Sequence, residues 1–523
     1  MLFADLPEEL LWHIFITYFG RDSHTLVLLA TLNKRFHRIT TPILYSHVTL
    51  SLVDGDESRK VPRPAPLFEG LLADTVSLNK VRRFIMSVFS SPYLAQCVRS
   101  LDLNELSWVP HQSLSRRRKE LVARMMRGDI LGRPDRLDMF KLVTVVRRLP
   151  LSDKLKHKWC AELQEVAPSL DSLIALLFVF LPSLEKLESN WSLDPMYIWH
   201  LLPQADMGKV ESSRSPSPFV LRNLTHLKVN SETPCGNSSE ILPLLQMPSL
   251  THFFGSNWGP IRWDGGVDGV DIQAKGLRSG KTTSSVTHLE LRYCNVDLQS
   301  LRTILRYCRS VKTFIFHRDW DPRVHVKLSG ASLSKALRPL RKTLENIALH
   351  FEPGLYIHQE GEIHPLDFSQ FSVLANINVA AGYLIHDPED FDSYEFSKTY
   401  DSEDEQEPIN VPLHDRLPES LEILRITGFS TPQQLEFLLK DCFGMLQHRS
   451  RFPRLRELSI EANFDEADTV FDTSALQQEA DRAEVVFRKI NTADYPDDGI
   501  DLLTPAGCNW GMNGEFKWST KLF

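Results

Sequence analysis

The side chains in this sequence best suited to chemistry do not assemble into a catalytic pattern. The seven cysteines (Cys97, Cys160, Cys235, Cys294, Cys308, Cys442 and Cys508) are an odd number, lie far apart and never form a Cys-x-x-Cys pair. A disulfide framework or zinc knuckle is therefore not expected, and a reducing compartment fits. His358, Glu360, Glu362 and His364 alternate and would converge on a metal if they shared one strand face. Two histidines and two acids with no supporting groups are usually coincidence. Gly276-Leu277-Arg278-Ser279-Gly280-Lys281-Thr282 has the ingredients of a phosphate-binding loop, but it is one residue short between its glycines and no apolar strand leads into it. No hydrolase serine elbow and no metalloprotease histidine pair appears. The expectation is a protein that is not an enzyme, with no cofactor and no metal.

Binding is the chemistry that remains, and binding surfaces are set by the elements that carry them. Near the N-terminus, Pro7 suits the first turn of a helix, and Glu8 and Glu9 suit the positive end of its dipole. Leu10, Leu11, Ile14, Phe15 and Tyr18 recur at helical spacing, and Gly20 is a stop. Asp22 or Ser23 is placed to cap a second short helix through Leu26, Leu29, Ala30 and Leu32. Asn33 is placed to cap a third, through Phe36 and Ile39 until Pro42. Three helices in about forty residues have too little core of their own, so leftover apolar surface must be covered by a partner or by the rest of the chain.

The run Leu6-Pro7-Glu8-Glu9-Leu10-Leu11, then Ile14-Phe15, Leu29 and Leu32, Asn33-Lys34-Arg35-Phe36-His37-Arg38-Ile39 and Pro42-Ile43-Leu44-Tyr45, resembles an F-box. That resemblance implies a helical hook that binds the Skp adaptor of cullin-RING ubiquitin ligases. It implies that Leu6, Pro7, Leu10, Ile14, Phe15, Leu29, Leu32, Arg35 and Phe36 form or support the adaptor-facing surface. Asn33 stands where a cysteine is common in the family, and Phe36 where a tryptophan is common. The alternative is that these helices only cap the end of the body that follows.

The body is a degenerate repeat. An apolar residue, two others, a second apolar residue, one other and often a third recur ten times, beginning at Val98, Leu184, Leu224, Leu250, Val286, Val311, Leu344, Leu374, Leu421 and Leu455. The spacing and the intervening helical stretches resemble leucine-rich repeats. The fold expected is α/β: a three-helix F-box over residues 1–50, then a curved leucine-rich-repeat solenoid over 51–505, with an inner parallel sheet and outer helices. An ordinary α/β domain with parallel strands would also alternate strand and helix. Insertions are expected near 203–220, 255–285 and 387–412, with a tail at 506–523.

Alternation along each strand turns the leucines inward and sets the intervening residues on the concave face. Lys228, Glu290, Arg292, His317, His350 and Arg425 are the candidates there for contact with an unknown protein substrate. The face is mixed in charge and suits protein rather than nucleic acid. A formal charge of -8 agrees, giving no general attraction to nucleic acid or anionic membrane.

Several segments fall outside the repeat. Asp387 to Glu407 holds ten acidic residues and one lysine, too charged for a core. Within it, Ser402 precedes Glu403-Asp404-Glu405, where an acid-preferring kinase could act. Ser215-Pro216 and Ser217-Pro218 lie in another loop and offer proline-directed sites. The basic stretch from Arg116 to Arg148 reads either as a nuclear-import signal or as an exposed inserted helix. Asp5, Glu8 and Glu9 occupy the place where a signal peptide would be basic. No apolar run reaches the roughly 18 residues a membrane span needs. The expected location is cytoplasmic, nuclear or both.

The function these readings point to is substrate recognition for a Skp-cullin-F-box ligase. The competing class is a leucine-rich-repeat scaffold not coupled to ubiquitination.

Overall fold

The computed structural model describes residues 6–20, 22–50, 80–104, 106, 136–165, 168–191, 196–201, 220–231, 236–261, 284–318, 330–351, 365–385, 411–429, 431–462, 464 and 473–491. Six stretches interpreted from sequence lie outside them: Arg116 to Lys119, Ser212 to Pro218, Gly276 to Thr282, His358 to His364, Asp387 to Glu407, and 506–523. The chain divides into two compact units, Met1–Phe253 with Trp263–Ser285, and Phe254–Arg262 with Val286–Phe523.

The first unit opens with three helices, α1 (Glu8–Phe19), α2 (Ser23–Leu32) and α3 (Lys34–Ser46). Both caps anticipated from sequence form. Asp22 accepts from the Thr25 N–H at 3.0 Å, and Asn33 accepts from the Phe36 N–H at 2.8 Å. Each satisfies a backbone donor that the first turn leaves without a partner. Leu11, Phe15, Leu26, Phe36, Ile39 and Ile43 make a small common core. In it the rings of Phe15 and Phe36 meet edge to face at 5.5 Å.

Pro42 does not end α3, as the sequence suggested; the helix continues to Ser46 around it. A mid-helix proline removes one hydrogen bond and crowds the preceding turn. Burial of Ile43 one residue further on rewards continuation. Around the break Thr41 Oγ1 donates to the His37 carbonyl at 2.6 Å and Ser46 Oγ to that of Ile43 at 2.7 Å.

Directly after α3, the strand His47–Thr49 begins a parallel ladder with Ser100–Asp102, Lys186–Trp191 and His226–Ser231. Its register aligns Val48, Leu101, Leu187 and Leu227 in one row. In the second unit the ladder runs through His288–Cys294, Thr313–Arg318, Asn346–Phe351, Asn376–Ala380, Ile423–Thr427, Glu457–Ala462 and Val486–Asn491, each strand parallel to its neighbours. Here Leu289, Phe314, Ile347, Ile377, Leu424, Leu458 and Phe487 align.

In all ten copies of the repeat the central apolar residue is buried, so the period found in the sequence is the period of the core. Several of these strands are also entered in the same way. One carbonyl of the preceding repeat receives two successive N–H groups: Arg99 from Glu185 and Lys186, Lys312 from Glu345 and Asn346, Glu422 from Arg456 and Glu457. A turn that repeats without change lets near-equivalent strands stack in register.

Among the described strands of the parallel ladder, two lack the full motif and are not marked by the sequence pattern, His47–Thr49 and Val486–Asn491. Residues 255–261, assigned by sequence to a glycine-rich insertion, contain the end of the strand His252–Ser256 and the short strand Trp258–Gly259, with Trp258 buried. Burying an indole outweighs the turn tendency of its glycine neighbours.

Candidate partner-binding surfaces

Two surfaces were predicted, and their chemistry differs. On α1 and α2 the residues expected to meet an adaptor fall into three groups. Leu10 and Leu32 are 50% and 65% exposed, and Pro7 is exposed. Leu6, Ile14 and Leu29 are partly covered and lean on the three-helix core. Phe15 and Phe36 are buried in that core, so they support the surface from beneath. Arg35 is not an outward donor. It donates to the Leu6 carbonyl and stands 3.5 Å from Glu8, which also pairs with Arg38. Arg35 thus fixes the start of α1 against α3.

The same helices expose Trp12, Ile16, Tyr18, Val27 and Leu28, residues the sequence reading did not assign to the surface. Of the thirteen large apolar side chains exposed among the described residues, seven lie between residues 10 and 32. Such a concentration marks an interaction site rather than scattered surface leucines. Its signal was present in the sequence. EELLWHIFITYF and SHTLVLLATL are apolar nearly all round, and a helix of that kind is normally buried on more than one side.

The second predicted surface is the face of the strands opposite the leucine row, and here the structure corrects the sequence. Lys228, Glu290, Arg292, His317 and His350 are all buried, and Arg425 is partly so. They were expected to face solvent. Neighbouring strands only about 4.8 Å apart bring these side chains within reach of one another, so they cover each other.

In the first unit Lys228 Nζ lies 3.2 Å from a Glu188 carboxylate oxygen, and Asn104 Nδ2 donates to the same carboxylate at 3.1 Å. In the second, Glu290 is held by Arg292 and approached by His288 at 3.6 Å. Arg425 and Arg488 share Glu457 at 3.2 and 3.5 Å. His350 Nδ1 lies 3.4 Å from Thr427 Oγ1. Burial, together with electrostatic repulsion from His317 and Arg292, pushes the His350 imidazole down to about 3, so it is neutral at physiological pH. Burial raises the Glu461 carboxyl, partly offset by Arg425.

One place on this face breaks the pattern. The ladder slips between Leu291 and Cys294, and Tyr293 takes a left-handed backbone (φ 51°). A bulge of this kind re-aims its side chain. The Tyr293 ring is 39% exposed and lies 4.7 Å from that of His317.

Among the described residues no group of three or more His, Cys, Asp or Glu could hold a metal, and no described helix is long and apolar enough to cross a membrane. The described cysteines Cys97, Cys160, Cys294, Cys308 and Cys442 are thiols. Burial drives the Cys442 thiol well above its ordinary range, which leaves it inert.

Parallel strands in sequence order, an apolar row in constant register and one repeated turn define a repeat protein. The family model of the leucine-rich repeat domain matches residues 142–475, and the chain belongs to that family. The match begins after the three N-terminal helices. No curated protein matches the sequence. Leucine-rich repeat domains generally bind protein partners, and a protein-interaction scaffold is what this body provides.

Proposed function

We propose that this chain is the substrate-recognition adaptor of a Skp-cullin-F-box ubiquitin ligase. Its N-terminal helices take the Skp-type adaptor of the cullin ligase, and its repeats take the protein to be ubiquitinated. The reading is carried by the exposed apolar side chains of α1 and α2, Leu10, Trp12, Ile16, Val27, Leu28 and Leu32, in a segment whose ordered residues resemble an F-box. Leaving these side chains in water forgoes roughly 25 cal/mol per Å² of apolar surface, and a partner polypeptide recovers it. The adaptor is not an enzyme. Holding a substrate lysine beside the transferring enzyme raises its effective concentration, and that proximity is the whole contribution. It works in the cytoplasm, the nucleus or both.

The substrate surface of this proposal is narrower than the sequence suggested. Because Glu290, His317 and His350 are buried, contact on the second unit is expected through Tyr293 and Arg488, the latter with 59% of its side chain exposed.

The test is direct binding of the purified full chain to a Skp-type adaptor, compared with a Leu10→Asp, Leu32→Asp double variant. Both positions are at least half exposed, so the fold should survive. Affinity should fall by more than about tenfold, since each leucine contributes on the order of 1 kcal/mol of further burial and the new carboxylates resist desolvation. No binding by the parent chain, or equal binding by the variant, would leave a leucine-rich-repeat scaffold outside the ubiquitin system.

A further inference from the structure

The second unit carries a cationic hollow on its helical side that neither the scaffold role nor the ligase reading uses. The helices Leu298–Tyr307 and Gly330–Leu337, with the 3-10 turn Arg338–Leu340, border an open hollow of about 600 Å³. Its lining is Arg302, Arg306, Lys335, Arg338, Arg341 and Lys342, together with Ala336 and Pro339. Packing accounts for the helices themselves. Leu301, Ile304, Leu305, Leu333 and Leu337 are buried, so the intervening positions must face outward. It does not account for Arg302, Arg306, Arg338, Arg341 and Lys342 converging there with no acid among the described lining residues. Attraction to the helix C-termini covers Arg306 and Lys335, but Arg302 lies a turn earlier and Arg341 and Lys342 lie beyond the helices.

Elsewhere the same repeats place opposite charges side by side, as in Lys312 with Glu345 at 2.8 Å. The like charges of Arg302, Arg306, Arg338, Arg341 and Lys342 around one hollow repel one another, a cost that an anion would relieve. This local charge is opposite in sign to the chain's overall -8.

We propose that this hollow binds a compact anion carrying several phosphate groups. Four of the six cations are arginines, whose planar forks match phosphate oxygens two at a time. Among the described residues no aromatic side chain lines the hollow, so none of them offers the stacking platform of a nucleotide or single-strand site. An extended acidic peptide brings one carboxylate about every 3.3 Å and turns alternate ones away, too dilute a charge for this lining. A polyphosphate concentrates its charge within a few ångströms. The size also lies in the range of small-molecule sites, about 300–1,000 Å³, and not of a groove for duplex nucleic acid.

Isothermal titration of the full chain with inorganic tripolyphosphate tests this, with Arg306→Ala plus Arg338→Ala as the site variant and Arg454→Ala as an exposed control. The expected result is one saturable site, weakened at least tenfold in the site variant, unchanged in the control and weakened by added salt. Both site positions are exposed, so an unchanged melting profile verifies that the variant is folded. Vesicles containing phosphatidylinositol bisphosphate, set against phosphatidylserine vesicles, distinguish a lipid headgroup from a free polyphosphate. Capture by the first alone, lost in the site variant, assigns the lipid source. The inference is overturned if tripolyphosphate does not saturate, if the site variant binds as well as the parent, or if a polyglutamate peptide or a DNA duplex binds as tightly. None of these readouts involves the Skp-type adaptor, so this inference and the ligase reading fail independently.

Discussion

The three N-terminal helices leave leucines, isoleucine and tryptophan in water, while the strands of the second unit bury even glutamate, arginine and histidine. Leu32 is 65% exposed and Glu290 is 0% exposed. The contrast reverses the usual distribution of residue types. A repeat body shields each strand with its neighbours, so polar groups at the interior can be satisfied by partners one strand away. A forty-residue helical cluster has few neighbours to offer and keeps apolar surface for another chain. Uncovered leucines in a short unit therefore say more about partners than charged residues do on a long parallel ladder.

The strongest way to break this comparison is to remove a member of the apolar row. Phe314→Ala deletes a fully buried ring and should destabilise the second unit by about 3–5 kcal/mol, read by denaturant unfolding. A shift under about 1 kcal/mol would mean that the repeats are loosely packed. Next in size is Glu290→Ala, which removes the buried carboxylate that Arg292 pairs with and should cost about 3 kcal/mol. Full stability would show that the buried charges are less enclosed than described.

His350 sharpens the comparison through pH. Its folded-state value of about 3 lies below the unfolded value near 6.5, so the unfolded chain binds the proton first. Stability contributed by the neutral imidazole is fully present above about pH 6.5 and is lost as pH falls toward 3, at up to about 1.4 kcal/mol per pH unit. Glu461, raised by burial, acts in the opposite sense, since it gains its proton first in the folded state. The difference between the parent and His350→Asn isolates the histidine. The pH dependence of unfolding between about 4 and 6 should flatten in the variant, and identical slopes would refute the assignment.

The smallest effect on stability belongs to the N-terminal surface. Leu10→Asp with Leu32→Asp should change the unfolding free energy by less than about 0.5 kcal/mol per site. A larger loss would mean that the side chains are covered by this chain, and the adaptor surface would go with it.

Some of this was legible before any coordinates. Asp22 and Asn33 could be named as caps because a short oxygen-bearing side chain before an apolar run has one preferred use. Pro42 misled because a local rule was overridden by the burial of Ile43. The helical stripe through Leu11 and Phe15 marks what α1 buries, and Trp12 and Ile16 lie off that stripe, where spacing alone does not distinguish exposed from covered. The strand Val486–Asn491 was missed because at the last rung only one side of the motif needs to be apolar.

What the sequence determined by itself was the period, and with it the parallel ladder and the row of buried leucines. Periodicity is a local property, written in every repeat. What only the tertiary structure decided was which side chains remain reachable: Arg35 spent on Glu8, His350 enclosed, Tyr293 turned outward, and six cations drawn to one hollow from two adjacent repeats. Exposure depends on what lies across the fold from a residue, and no spacing along the chain records it.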